Sequence, residues 1–183
     1  MDLASWIYSI AMMLVFTVIG MTLWGEKRAR VPAAPTLPHV KREALRLLTL
    51  HSDKEKPYRI AELGCGWGGI LKALAKSFPN AHVTGYEMSL WPRMLARMRC
   101  IFSGKRIDIH GSDFYEADLT QFDMIYCYLS PNHMAALKSH FETCGSGTLI
   151  VSNAFAVPEW VPTEVTTVKS LFVTIPIYLY RMP

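Results

Sequence analysis

Residues 59–69 read Arg59-Ile60-Ala61-Glu62-Leu63-Gly64-Cys65-Gly66-Trp67-Gly68-Gly69. Arg59–Leu63 reads as a short strand that stops at a glycine cluster. Beyond it, Ile70, Leu71, Leu74 and Phe78 recur at helical spacing over Ile70–Phe78. Glycines at such a strand-to-helix turn let the backbone approach a ligand closely at the carboxyl end of the strand. The run also matches the G-x-G-x-x-G pattern through Gly64, Gly66 and Gly69, so both a dinucleotide and another nucleoside-bearing cofactor fit it at this stage.

Working outward, strands and helices alternate. Upstream, Val40, Ala44, Leu47 and Leu48 form the apolar stripe of a helix over about 37–51, with Thr36 placed to cap it and Pro38 in its first turn. Downstream, strands are expected at Ala81–Glu87, Ile107–His110, Phe122–Leu129 and Thr148–Asn153. Helices are expected at Leu90–Phe102, which is amphipathic, and at Pro131–Phe141 with Met134, Leu137 and Phe141 inward. This alternation implies a mostly parallel sheet with helices on both faces. Glu164–Lys169 and Val173–Tyr180 are β-branched and aromatic with no helix between them, and they read as a terminal antiparallel pair. An α/β domain that ends this way has the layout of the Rossmann-like, seven-stranded methyltransferase fold.

The N-terminus has a different character. No charged residue occurs from Leu3 to Trp24, long enough at ~1.5 Å per residue to span a hydrocarbon core of about 30 Å. A cleaved signal peptide would carry basic residues ahead of the apolar run. Here only Asp2 precedes it, and Lys27, Arg28 and Arg30 follow. The expectation is a transmembrane anchor over 1–25, a linker over 26–36 containing Pro32 and Pro35, and a catalytic domain over 37–183. The basic flank directs that domain to the cytosol in a single-pass arrangement, and Trp6 and Trp24 suit the two interfaces.

Composition narrows the chemistry. Of the 183 residues, 51% are hydrophobic, and much of the excess sits in that N-terminal run. The net charge of +4 suits a bilayer surface as well as a nucleic acid. No nucleic-acid motif accompanies it, so no nucleic-acid partner is expected. Cys65, Cys100, Cys127 and Cys144 lack C-x-x-C spacing, and the histidines do not pair at ligand spacing, so neither a disulfide framework nor a metal is expected.

Three carboxylates separate the cofactors. Glu62 lies two residues before the first glycine. Anionic pyrophosphate gains nothing from a carboxylate there, whereas the sulfonium and ammonium of S-adenosylmethionine do. Glu87 closes the second strand and can accept both ribose hydroxyls, as either cofactor requires. Asp113, in Gly111-Ser112-Asp113-Phe114, can accept from an adenine amino group, with Phe114 packed on the ring. A dinucleotide oxidoreductase would also need a second domain or a Tyr-x-x-x-Lys pair, and neither is evident. The expected S-adenosylmethionine site comprises Glu62, Gly64, Cys65, Gly66, Gly68, Glu87, Met88, Ser112, Asp113 and Phe114.

From about Pro32 to Val165 the chain resembles the small membrane-anchored, mitochondrial-type protein lysine methyltransferases that modify the adenine nucleotide translocase and the ATP synthase c-subunit. The resemblance rests on Glu62-Leu63-Gly64-Cys65-Gly66, Gly85-Tyr86-Glu87 with Trp91 after it, Gly111-Ser112-Asp113-Phe114, Met124–Leu129 before Pro131, and Phe155-x-x-Pro158-x-Trp160-x-Pro162. Trp67-Gly68-Gly69 stands where the family usually has Asp-Gly-Arg. Ser152-Asn153-Ala154 stands where an arginine is expected. The resemblance implies lysine N-methylation of a membrane-associated protein. A lipid-soluble small molecule, such as a quinone or a lipid, is the alternative acceptor, and a fold that has lost its chemistry is a third class. Tyr128, at the end of the fourth strand, is the candidate wall of an acceptor pocket. Trp160 divides between lid and core, and His133 between general base and surface residue.

Overall fold

The central strands of the sheet are apolar on both faces, and this sets the architecture. Strands β4 (Met124–Cys127) and β5 (Leu149–Asn153) are buried at every position, and β1 (Arg59–Leu63) and β2 (His82–Tyr86) at all but their first residues. Near-continuous burial of this kind belongs to parallel strands covered on both sides. β3 (Ile107–His110) and β6 (Glu164–Ser170) alternate between half-buried and exposed, and they form the two edges. In the computed structural model the seven strands lie in the order β3-β2-β1-β4-β5-β7-β6, with β7 spanning Val173–Arg181. β1 to β5 run parallel, and β7 pairs antiparallel with both β5 and β6. The terminal pair is the one the β-branched tail predicts.

The structure describes residues 36–170 and 173–183, together with Ser5, Trp6, Tyr8–Ile10, Met12 and Met13, which are helical. By contacts the chain divides into two units, Met1–Pro32 and Ala33–Pro183. Most of the expected membrane span lies outside the described residues. Among the described residues no helix is long and apolar enough to cross a membrane.

Among the described residues four helices cover the sheet. α1 (Pro38–Leu50) and α2 (Gly69–Ser77) pack on one face, where Val40, Ala44, Leu47, Leu48, Leu71 and Leu74 meet β1, β4, β5 and β7. α4 (Pro131–Phe141) covers the other face through Met134, Leu137 and Phe141. α3 (Leu90–Ile101) lies beside α2 and the edge strand β3. Polar ties hold α1 down: Thr166 Oγ1 donates to Glu43 Oε1 at 3.0 Å, and His51 Nε2 lies 2.8 Å from Glu164 Oε2.

Two local expectations are corrected. Leu37, not Thr36, occupies the N-cap of α1, and no side chain caps it; Pro38 at the first position has no N–H to satisfy and fixes the helical φ by itself. The run 122–129 is strand only over Met124–Cys127, since Phe122 closes a 3-10 turn (Leu119–Gln121) and Tyr128 leads out towards Pro131. A second 3-10 turn (Phe114–Glu116) follows β3. Aspartates head both turns, Asp113 accepting from the Tyr115 N–H and Asp118 from the Thr120 N–H.

Candidate active site

The strand order reverses between β1 and β4. In an open parallel sheet the crevice outside the carboxyl ends at that reversal is where ligands bind. The glycine loop, Glu87, Asp113 and Tyr128 all follow the carboxyl ends of strands around it.

Two glycines shape the loop. Gly66 has φ 49°, and its N–H points at Glu87 Oε2, 2.9 Å away. Gly68 has φ 73° and starts α2; a Cβ there would sit 3.0 Å from Ala96 Cβ of α3, so loop and helix are in backbone contact. Cys65 is fixed by its N–H to Tyr86 O at 2.9 Å, and its side chain is buried against Gly85 and Leu71. Any ligand contact of Cys65 must therefore come from its backbone. Burial pushes its thiol well above the usual range, with Glu62 and Glu87 adding to the effect.

Glu87 is buried one residue past β2. Its Oε2 takes the Gly66 N–H, its Oε1 takes the Ser89 N–H at 2.8 Å, and its own N–H donates to His110 O at 3.0 Å. Each carboxylate oxygen retains acceptor capacity, so a diol can still be received. Met88 and Ser112 are exposed beside it, and Arg93 Nη1 bridges the Glu87 and Met88 carbonyls at 2.9 and 3.0 Å. Asp113 spends Oδ1 on the Tyr115 N–H at 3.1 Å. Phe114 is half-buried between Tyr115 and His133, its ring centroid 4.7 Å from the first and 5.6 Å from the second.

Glu62 is the least expected member by physical cost. In the sheet register it faces Gly85 on one side and Tyr126 on the other, on the face that α1 and α2 cover. It is buried, and its Oε2 has no hydrogen-bond partner among the described residues. Burial raises its pKa well above the ordinary carboxylate value, and the charge of Glu87 adds to the rise. A buried carboxyl with an open acceptor is costly unless a cation or donor completes it. The cationic end of S-adenosylmethionine would do so, and with Glu87 ready for a diol the residues present fit that cofactor.

Sequence reasoning missed two neighbours of Glu62. Tyr126 and Asn153 share its face, since Tyr126 pairs with Glu62 and with Val151, two residues before Asn153. Both are buried. The Tyr126 hydroxyl lies near the Thr36 and Asn153 side chains without closing a well-formed hydrogen bond, and Asn153 Oδ1 is likewise unpaired. Burial keeps the Tyr126 hydroxyl protonated. The signal available in sequence was polar residues at the matching period-two positions of three central strands. Tyr128, two residues past Tyr126, is half-buried against the same face. Trp160 packs against Phe141 and Tyr180, with ring centroids 6.3 and 5.7 Å apart, which makes it part of the core on the α4 face. His133 Nδ1 is 2.7 Å from the Tyr115 hydroxyl. Among the described residues no group of three or more His, Cys, Asp or Glu could hold a metal.

Residues 62–164 match the family described as ANTKMT methyltransferase domain. A protein-lysine N-methyltransferase of Saccharolobus islandicus is 29% identical over 153 residues, covering 82% of this chain and 92% of that one. A ubiquinone biosynthesis O-methyltransferase of Aromatoleum aromaticum is 28% identical over 89 residues, 47% of this chain and 37% of that one. Among solved structures, an RNA methyltransferase from Salinibacter ruber in complex with S-adenosyl-L-homocysteine superposes with a TM-score of 0.71 at 25% identity, covering 82% of this chain and 94% of that one.

Proposed function

The chain belongs to the ANTKMT methyltransferase family and is an S-adenosylmethionine-dependent methyltransferase; we propose that it methylates a lysine side chain of a membrane-associated protein. The observation that carries the choice of acceptor is the similarity, over 82% of this chain and 92% of the relative, to a protein-lysine N-methyltransferase. When bound, S-adenosylmethionine supplies an electrophilic methyl group on a sulfonium. The residues expected to hold it are Glu62 at the cationic end, the Gly64–Gly66 backbone beneath it, Glu87 at the ribose, and Asp113 with Phe114 at the adenine. Methyl transfer is an in-line displacement, so the protein contributes mainly position.

A lysine acceptor must arrive neutral. A dry, aromatic entrance favours loss of its proton, because burial disfavours the charged form. Tyr128 is the wall of that entrance. The Tyr126 hydroxyl and the Asn153 carbonyl oxygen lie further along the same face and can accept from or orient an amine. No dedicated base is assigned, and His133 is engaged with Tyr115.

The apolar run from Leu3 to Trp24 and the flank Lys27, Arg28 and Arg30 support a tethered enzyme with its catalytic domain in the cytosol. Tethering raises the effective concentration of an acceptor in the same bilayer. The similarity to ubiquinone biosynthesis O-methyltransferases favours a second acceptor class, a lipid-soluble small molecule. Incubating membranes with the enzyme and tritiated S-adenosylmethionine, then separating protein from lipid extract, distinguishes the two. Methyllysine in the protein fraction is the expected product. Label confined to the lipid extract would move the acceptor to the second class.

A further inference from the structure

α3 carries its apolar stripe on the wrong side for a core helix. Only Ala96 and Cys100 of its residues are buried. Leu90, Trp91, Met94, Met98, Ile101 and the adjoining Phe102 recur at spacings of three and four, on the outward side, and all are exposed. Trp91 is 41%, Met98 67%, Ile101 72% and Phe102 93% accessible. Trp67, on the glycine loop, adds a further exposed ring at 42%, with the Arg99 guanidinium 5.8 Å from its centroid. An apolar surface of this extent on a folded domain marks a contact site.

Its charge identifies the partner. Residues 88–107 contain Arg93, Arg97, Arg99, Lys105 and Arg106 and no acidic residue. Among the described residues none of the five forms an ion pair. Arg93, Arg97 and Arg99 donate to backbone carbonyls, those of Glu87, Ile109 and Trp67, which leaves their positive charge uncompensated. Large apolar side chains, tryptophan among them, set between arginines and lysines are the composition of a helix that lies in the plane of an anionic bilayer. A second copy of the same face would bring five like charges against five, which opposes an isologous dimer.

We propose that the outer face of α3, with Phe102 and Trp67, is a membrane-docking surface of the catalytic domain that binds anionic lipid headgroups and inserts its apolar stripe at the interface. It acts in addition to any N-terminal anchor. Because α3 begins three residues after Glu87 and touches the glycine loop at Gly68, docking sets the mouth of the active site against the bilayer, whichever acceptor is used.

The test uses the full chain. The four native cysteines are buried, so a nitroxide can be placed selectively at Phe102→Cys, and at Glu142→Cys, an exposed position after α4, as the control. The protein is reconstituted into phosphatidylcholine–phosphatidylglycerol vesicles, and collisions with oxygen and with a water-soluble nickel chelate are compared. The label at 102 should be shielded from nickel and open to oxygen, and the label at 142 should be the reverse. Adding Lys105→Glu and Arg106→Glu should abolish the shielding at 102. Equal nickel access at both sites overturns the proposal. Shielding that is as strong in phosphatidylcholine alone overturns the anionic partner. Shielding in detergent that grows with protein concentration overturns it in favour of self-association.

Discussion

Replacing Glu62 with glutamine should weaken cofactor binding and stabilise the free protein. Glutamine keeps the volume and one acceptor but removes the charge. Glu62 is buried beside Tyr126, its Oε2 is unpartnered among the described residues, and Glu87 adds like charge nearby. If it receives the cationic end of S-adenosylmethionine, the variant loses one hydrogen bond of charged type, about 1.5–3 kcal/mol. At 1.36 kcal/mol per decade that raises Kd by about 10- to 150-fold. The effect on the free fold has the opposite sign. The pKa of Glu62 is raised in the folded state above the reference value of 4.5. Above that reference value the unfolded chain has released the proton and the fold still holds it, so stability falls as pH rises through the folded-state pKa. Glutamine has no such dependence. Titration calorimetry gives the affinity, and melting curves of the ligand-free full chain from about pH 5 to about pH 8 give the second effect. The melting temperature of the variant should gain on that of the parent as pH rises. Binding to the parent should release a proton in the pH range where Glu62 titrates, visible as a dependence on buffer ionisation enthalpy. An unchanged Kd, or a melting difference that is flat or reversed in pH, refutes the assignment.

Three further outcomes are expected. Gly85→Ala would set a Cβ 2.7 Å from Leu71 Cδ1 and 2.8 Å from Cys65 Sγ. It should cost about 1–3 kcal/mol in denaturant unfolding, as overpacking does. Tyr128→Ala should lower kcat by about 100-fold through misplacement of the acceptor while leaving S-adenosylmethionine affinity intact, with Tyr128→Phe retaining most of the rate. Protease added to intact cells should leave the catalytic domain uncut until lysis; digestion from outside would reverse the orientation argued from Lys27, Arg28 and Arg30.

Much of the fold is legible because the sheet's two-sided burial writes itself into the strands. Arg59–Leu63 and Ile107–His110 stand where the sequence places strands, and so does the helix Pro131–Phe141. Glu62, Glu87 and Asp113, the proposed cofactor carboxylates, stand out in the sequence for a related reason. Glu62 is the last residue but one of β1, Glu87 directly follows β2 and Asp113 lies three residues past β3, and a carboxylate in such a place needs a cause. Tyr126 and Asn153 carry only a partial signal, a polar residue within a buried strand, since their partnership with Glu62 depends on the pairing β1-β4-β5, which no local pattern encodes. Residues 90–102 show the other limit. Helical periodicity reveals an apolar stripe but not which way it points, and only the packing of Ala96 and Cys100 shows that the stripe faces outward. Thr36 does not cap α1 because the helix begins at Pro38, which puts Leu37 and not Thr36 at the N-cap.

The most direct test of the cofactor site is a calorimetric titration of the full chain in detergent with S-adenosylmethionine, for the parent and for Glu87→Ala. Two charge-assisted bonds to the ribose, each about 1.5–3 kcal/mol, predict saturable one-to-one binding by the parent. They also predict no measurable binding by the variant, whose unfolding should remain cooperative although the Gly66 and Ser89 amides lose their acceptor. Equal affinity in the two proteins would contradict the account, as would a parent that binds no S-adenosylmethionine.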